Sequence, residues 1–302
     1  MTGQHQQPIP GVSGISSPLP LGRCIYCGNG PNAGLSDEHV VPLALNGNLL
    51  LKQASCEACR VITSRFEAKL LRGGFRSARE AFAYNTRSKD RPTHLPIFNV
   101  HGEENSRKDI PIGEYPVTLL MPLVAGAYID TFPNAVTGEQ RTWSFRNHDY
   151  DKLSGEADIF QFTSNILDVR SLYRLLAKIA HGTAVAYHGL DGFVPFLKPV
   201  ILDEEYSGYT RFIGTMWPPP PPLDQNGFET ELGLESLNDR TYISARIRFF
   251  PELGTPFYRV IVGTFATCQS AIDKWELALK TPPPDPHEAG AIRMDIKATR
   301  NA

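Results

Sequence analysis

The chain has 302 residues, of which 41% are hydrophobic and 21% charged, with a formal net charge of -2. That length and apolar content describe a soluble globular protein with a large core and about two domains. No run reaches the roughly 18 apolar residues of a membrane span, and the start lacks the basic and apolar segments of a signal peptide. The expectation is a cytoplasmic protein with no membrane partner, and near-neutral charge does not by itself call for a polyanion.

Residues 1–20 are rich in Gln, Pro, Gly and Ser without apolar periodicity, so a disordered segment is predicted. A compact unit starts near Leu21. Cys24 and Cys27, followed by Cys56 and Cys59, give the spacing C-x2-C-x28-C-x2-C. Two tight turns can each present two thiolates to one tetrahedral ion, and soft sulfur ligands without a redox task suit zinc. A redox dithiol or a pair of disulfides also uses CxxC, but the second pair at this distance favours a metal.

Between the pairs the pattern predicts a strand near His39 to Val41 and a second around Leu49 to Leu51. A helix follows from Cys56, with Ile62, Phe66 and Leu70 on one face and Gly73-Gly74 as its stop. From Arg60 to Arg91 there are nine basic residues against three acidic ones. Arg60, Arg65, Lys69, Arg72, Arg76 and Arg79 are therefore candidates to neutralise phosphates, the plain alternative being a solvated helical face. The first unit with this basic extension is taken as residues 21–91.

A helix is expected near Ser77 to Tyr84. Pro92, Pro96, Pro111 and Pro116 then predict a linker over 92–116. Residues 117–280 read as a second, mixed α/β domain. Its strands are predicted at Val117 to Val124, Gly208 to Thr215, Tyr242 to Phe250 and Phe257 to Phe265. A helix is predicted from Asp168, a good N-cap, to Gly189, a good stop, with Leu172, Leu175, Leu176 and Ile179 on its apolar face. Arg170, Arg174, Lys178 and His181 lie opposite and read as an ordinary solvated face. Pro218 to Pro222 predict a stiff connector, and 281–302 a flexible tail. Cys268 reads as a small buried hydrophobe.

Glu38 and His39 stand inside the cysteine frame. Phosphodiester hydrolysis needs a base for the attacking water and a cation for the developing charge. The imidazole of His39, ordinarily titrating near pH ~6.5, suits the base. Glu38 offers the oxygen that hard ions such as Mg2+ or Mn2+ prefer. The bland alternative for His39 is a hydrogen-bonded core histidine or a zinc ligand.

The segments Cys24-Ile-Tyr-Cys27, Leu35-Ser-Asp-Glu-His-Val-Val-Pro42, Asn46-Gly-Asn-Leu-Leu-Leu51 and Ala54-Ser-Cys-Glu-Ala-Cys59 together resemble the HNH endonuclease superfamily, in its zinc-containing variant. The resemblance covers about residues 21–71. It implies an α+β protein with an N-terminal ββα-metal module and a C-terminal domain of no recognised family. It further implies structural zinc, catalytic Mg2+ or Mn2+, DNA as substrate with RNA left open, and His39 as the activator of water. Glu38 would bind the catalytic ion, and Asn48, with Asn46 competing, would steady the loop between the strands. A bacterial or phage protein of mobile-element or antiviral type would fit, with oligomerisation through the C-terminal domain.

One position departs from the pattern. Many relatives place Asn or His directly after the second CxxC, whereas this chain has Arg60, and a guanidinium cannot ligate a cation. Glu67, with Thr63 behind it, is the candidate second ligand, its alternative being a salt bridge. Arg60 itself could clamp a phosphate. The readings carried forward are a metal-dependent HNH-type endonuclease and a zinc-stabilised nucleic-acid-binding module without cleavage. A zinc nucleobase deaminase is strongly disfavoured, because its H-x-E and P-C-x-x-C signature is missing: Arg23 and Ser55 precede the two CxxC pairs.

Overall fold

The computed structural model describes residues 19–86, 90–98, 107–115, 117–124, 127, 141–146, 167–224, 227–237 and 239–280. The expected N-terminal disorder up to residue 18 and the expected tail at 281–302 lie outside these residues.

β1 (Leu35–His39) and β2 (Leu50–Cys56) pair antiparallel, with Glu38 opposite Leu51 and His39 opposite Leu50. The first strand therefore ends at His39 instead of starting there. Val40 still donates its N–H to Leu49 at 3.0 Å before the chain turns away. Asn46 adopts the left-handed conformation at φ 61°. At Gly47 a Cβ would lie 2.1 Å from the Val41 carbonyl oxygen, so only glycine closes this turn.

α1 (Glu57–Arg72) starts directly from Cys56, so the second cysteine pair occupies the strand-to-helix corner. Its buried residues are Cys59, Thr63, Phe66 and Leu70, a helical spacing that shifts the expected stripe partly away from Ile62. α2 (Arg76–Ala81) follows after a short break.

The expected linker at 92–116 instead contains a hairpin of β3 (His94–Phe98) and β4 (Arg107–Pro111). Proline is tolerated there because a two-stranded ladder leaves alternate N–H groups without a strand partner. Leu95, Ile97 and Ile110 bury a small core of their own. β5 (Thr118–Leu123) and β6 (Arg141–Arg146) form a second two-stranded ladder.

α3 (Val169–His188) matches its sequence prediction closely. The Asp168 carboxylate accepts the Ser171 N–H at 2.7 Å, capping one of the N–H groups left over at the helix start. Gly189 ends it at φ 76°. After β7 (Val194–Pro195), α4 (Lys198–Leu202) and β8 (Ile213–Met216) come the long strands β9 (Phe228–Leu237), β10 (Arg240–Phe249) and β11 (Phe257–Thr264). These build an antiparallel sheet in the order β7-β11-β10-β9, with β8 also on β11, and α5 (Gln269–Lys280) closes the described chain.

The result is a mixed α/β chain with small sheets and five helices among the described residues. One apolar core runs from Cys24 to Ala271 without a break between the cysteine unit and the sheet. Phe75 bridges them, its ring 5.5 Å from that of Phe249 and 5.1 Å from that of Phe250. No helix among the described residues is long and apolar enough to cross a membrane.

α3 carries the main correction. Its Leu172, Leu175, Leu176 and Ile179 are buried as expected, but so are Arg174, Lys178 and His181 on the face read as solvated. The helix is a central element with the cysteine unit on one side, and at Gly182 a Cβ would come within 3.0 Å of Val40. Only Arg170 of that stripe stays exposed, donating to the Glu204 carbonyl at 3.0 Å.

Candidate functional site

The cysteine sulfurs of Cys24, Cys27, Cys56 and Cys59 all lie within 4.8 Å of one another. Cys27 Sγ and Cys56 Sγ are 3.6 Å apart, close to the ~3.8 Å edge of a tetrahedron with Zn–S bonds of about 2.3 Å. Cys24, Cys56 and Cys59 are buried and Cys27 is exposed, and all four are free of disulfides.

Burial works against a charge on Cys24, but backbone N–H groups of Cys27, Cys56 and Tyr26 bring its pKa below the ordinary thiol value. Burial, then the Cys24 charge, push the Cys59 thiol far up. Four sulfurs this close can all ionise only with a cation among them, which is the condition a structural zinc meets. The donor set fits zinc.

The second site was expected between Glu38 and Glu67, and the two carboxylates do converge. What lies between them is the ammonium of Lys178. Its Nζ stands 2.8 Å from Glu38 Oε1 and 2.7 Å from Glu67 Oε1, and it also donates to the His39 carbonyl oxygen. The Lys178 side chain is 1% exposed, that of Glu38 7% and that of Glu67 21%. Burial opposes the charge on Lys178, yet Glu67 and Glu38 outweigh it and hold its pKa above the ordinary lysine value.

A hard divalent ion does not fit this arrangement. Its oxygen ligands would have to close to about 2.0–2.1 Å for Mg2+, whereas these oxygens stand at ammonium hydrogen-bond distance around a cation already in place. Tyr26 completes the surroundings, its phenol kept neutral by burial and by the charges of Glu38 and Glu67.

His39 is half-buried at the end of β1, directly beyond Glu38. Asn48 is exposed, and the loop is held by Asn46 instead, whose Oδ1 accepts the Asn85 N–H at 2.9 Å. Arg60 is hydrogen-bonded to Glu57 and feels the charge of Glu38 only as a weaker contribution. Its guanidinium grips Glu57 in a two-pronged contact of 2.7 and 2.6 Å, an exposed pair of small energy that a phosphate can displace. Thr63 is turned inward, donating to the Arg60 carbonyl at 3.2 Å.

The expected phosphate-binding residues divide. Arg65, Lys69 and Arg72 are exposed along α1, with loose contacts of 4.0 Å from Arg65 to Glu204 and 3.6 Å from Lys69 to Asp168. Arg76 is half-buried. Arg79 is a correction: it is buried and donates to the carbonyls of Ala44 at 2.6 Å and Leu71 at 2.8 Å, so its charge ties the loop to α1.

Two residues of α3 were missed by sequence reasoning. Besides Lys178, His181 places its Nε2–H on the Ile25 carbonyl, inside the first CxxC turn, at 2.8 Å. Burial lowers its pKa to about 4, so it stays neutral. The overlooked signal was Gly182, one turn beyond Lys178 on the supposedly solvated face. Glycine costs about 1 kcal/mol in a helix interior and marks close backbone approach.

Compared with models of protein families, with curated proteins and with solved structures, the chain finds no match.

Proposed function

We propose that residues 21–91 are an HNH-type ββα module that holds zinc on Cys24, Cys27, Cys56 and Cys59 and binds DNA, without divalent-ion-dependent cleavage in this arrangement. The observation that carries the reading is the Lys178 ammonium, 2.8 and 2.7 Å from the two carboxylates a catalytic ion would need. The order strand, loop, strand, helix around the cysteine frame supports the HNH-type assignment. Zinc in this module supplies folding free energy and no chemistry of its own. Arg60, Arg65, Lys69 and Arg72 on the outer side of α1 are the proposed phosphate contacts.

A mobility-shift titration against salt tests this. Arg72→Ala is expected to weaken binding across sequences and to lower the slope of log affinity against log salt by about 1. Arg79→Ala is expected to act on folding instead. Wild-type protein that shifts no DNA at low salt contradicts the proposal.

The endonuclease reading keeps one observation in its favour, the half-buried His39 next to a buried carboxylate. In that reading His39 takes the proton from water. Plasmid nicking by the wild type in Mg2+ or Mn2+, abolished in His39→Ala with zinc retained, would establish it over the binding-only reading.

A further inference from the structure

An ammonium has three N–H donors, and Lys178 has three acceptors: Glu38 Oε1, Glu67 Oε1 and the carbonyl oxygen of His39. None is left over for a substrate phosphate. The lysine comes from α3, far beyond both carboxylates in sequence and 139 residues beyond His39, and not from the cysteine unit itself. Neighbouring contacts hold that helix in place. Arg174 lies over the Phe66 ring of α1 at 4.8 Å and donates to the Ile201 carbonyl, and His181 holds the CxxC turn.

We infer that Lys178 is a built-in replacement for the divalent cation: α3 delivers a fixed ammonium between Glu38, Glu67 and the His39 carbonyl, so the chain takes up no Mg2+ or Mn2+ there. This rests on the HNH-type reading for the identity of the displaced ion. Lys178 is a positioning residue. It fixes the Glu38 carboxylate and the backbone of His39, the work that an exchangeable ion would do, and makes whatever the module does independent of free divalent ions. One lysine between two carboxylates leaves a net charge of -1, but a doubly charged ion could occupy that space only by displacing the ammonium, which repels it at close range. Removing the ammonium leaves two carboxylates and a carbonyl oxygen facing one space, an oxygen set of the kind Mn2+ accepts.

Mn2+ binding, followed by the loss of the free-ion electron paramagnetic resonance signal in the zinc-loaded full chain, tests this. Wild type is expected to leave the signal unchanged, Lys178→Ala to bind Mn2+, and Lys178→Ala/Glu67→Gln to bind it about tenfold or more weakly. Wild-type protein that binds Mn2+ in a Glu67-dependent way overturns the inference, as does a folded, zinc-loaded Lys178→Ala that binds none. Should Lys178→Ala not fold alone, refolding in Mn2+ decides: rescue by Mn2+ and not by Na+ supports the replacement, and no rescue overturns it. The mobility shift on the same preparations keeps the two readings apart. A wild type that binds neither DNA nor Mn2+ refutes the DNA proposal while supporting the cation replacement.

Discussion

Replacing Cys56 with serine is expected to abolish zinc binding and to unfold the module of residues 21–91 instead of merely silencing it. Structural zinc contributes on the order of 10 kcal/mol or more in such units, as much as the whole stability of a typical domain. Cys56 is also the last residue of β2 and the residue from which α1 springs, so a zinc ion held by its sulfur would tie strand and helix together. The damage should spread, because the His181 contact to the CxxC turn and the Phe75 contact to the sheet both leave the cysteine unit. Zinc content, circular dichroism and the thermal transition measure this. A chelator titration should show one loss, that of zinc, with no earlier step from a weakly held divalent ion. A folded serine variant without zinc contradicts the staple.

Lys178→Met is expected to cost about 3–5 kcal/mol, the range for stripping one partner from a buried ion pair. The methionine fills most of the lysine's space, so the loss is one of charge more than of volume. Glu38 and Glu67 are then left facing one another without a counter-ion. Converting both to glutamine in the Lys178→Met background should recover most of the loss, since the network is removed as a unit. Urea denaturation of the single, double and triple variants measures the coupling. A cost below about 1 kcal/mol, the range of exposed pairs, would contradict the buried-network assignment.

Local signals carried much of the fold. Asp168 and Gly189 marked both ends of α3 because capping chemistry is written in single residues, and the two CxxC turns marked the four-cysteine cluster because their spacing is that of metal-ligand geometry. β10 and β11 were legible from their β-branched and aromatic content. What stayed hidden was tertiary. The prolines of the β3–β4 hairpin read as breakers because their tolerance depends on which N–H groups the partner strand uses. β9 is rich in glutamates that pair across the sheet, Glu235 with Arg259 and Glu229 with Arg248, so its polarity masked it.

The site was legible to the same degree. Glu38, His39 and the cysteines announce themselves within a short segment, and Glu67 was reached by asking which helix residue on the Arg60 face could supply the ligand missing after the second CxxC. Lys178 was not, because a basic residue opposite a leucine stripe has the pattern of a solvated face, and only the packing of α3 against α1 and the segment after β1 turns that face inward. Arg79 failed in the same way: its place in a basic run outweighed the possibility that a guanidinium with five donors serves backbone carbonyls.

A Mn2+-soaked crystal, with the anomalous signals of zinc and manganese separated by wavelength, tests the central claim most directly. The account predicts one zinc peak among the four sulfurs, no manganese peak between Glu38 and Glu67, and Lys178 in contact with both. A manganese ion between the two carboxylates, with Lys178 turned away, would contradict it.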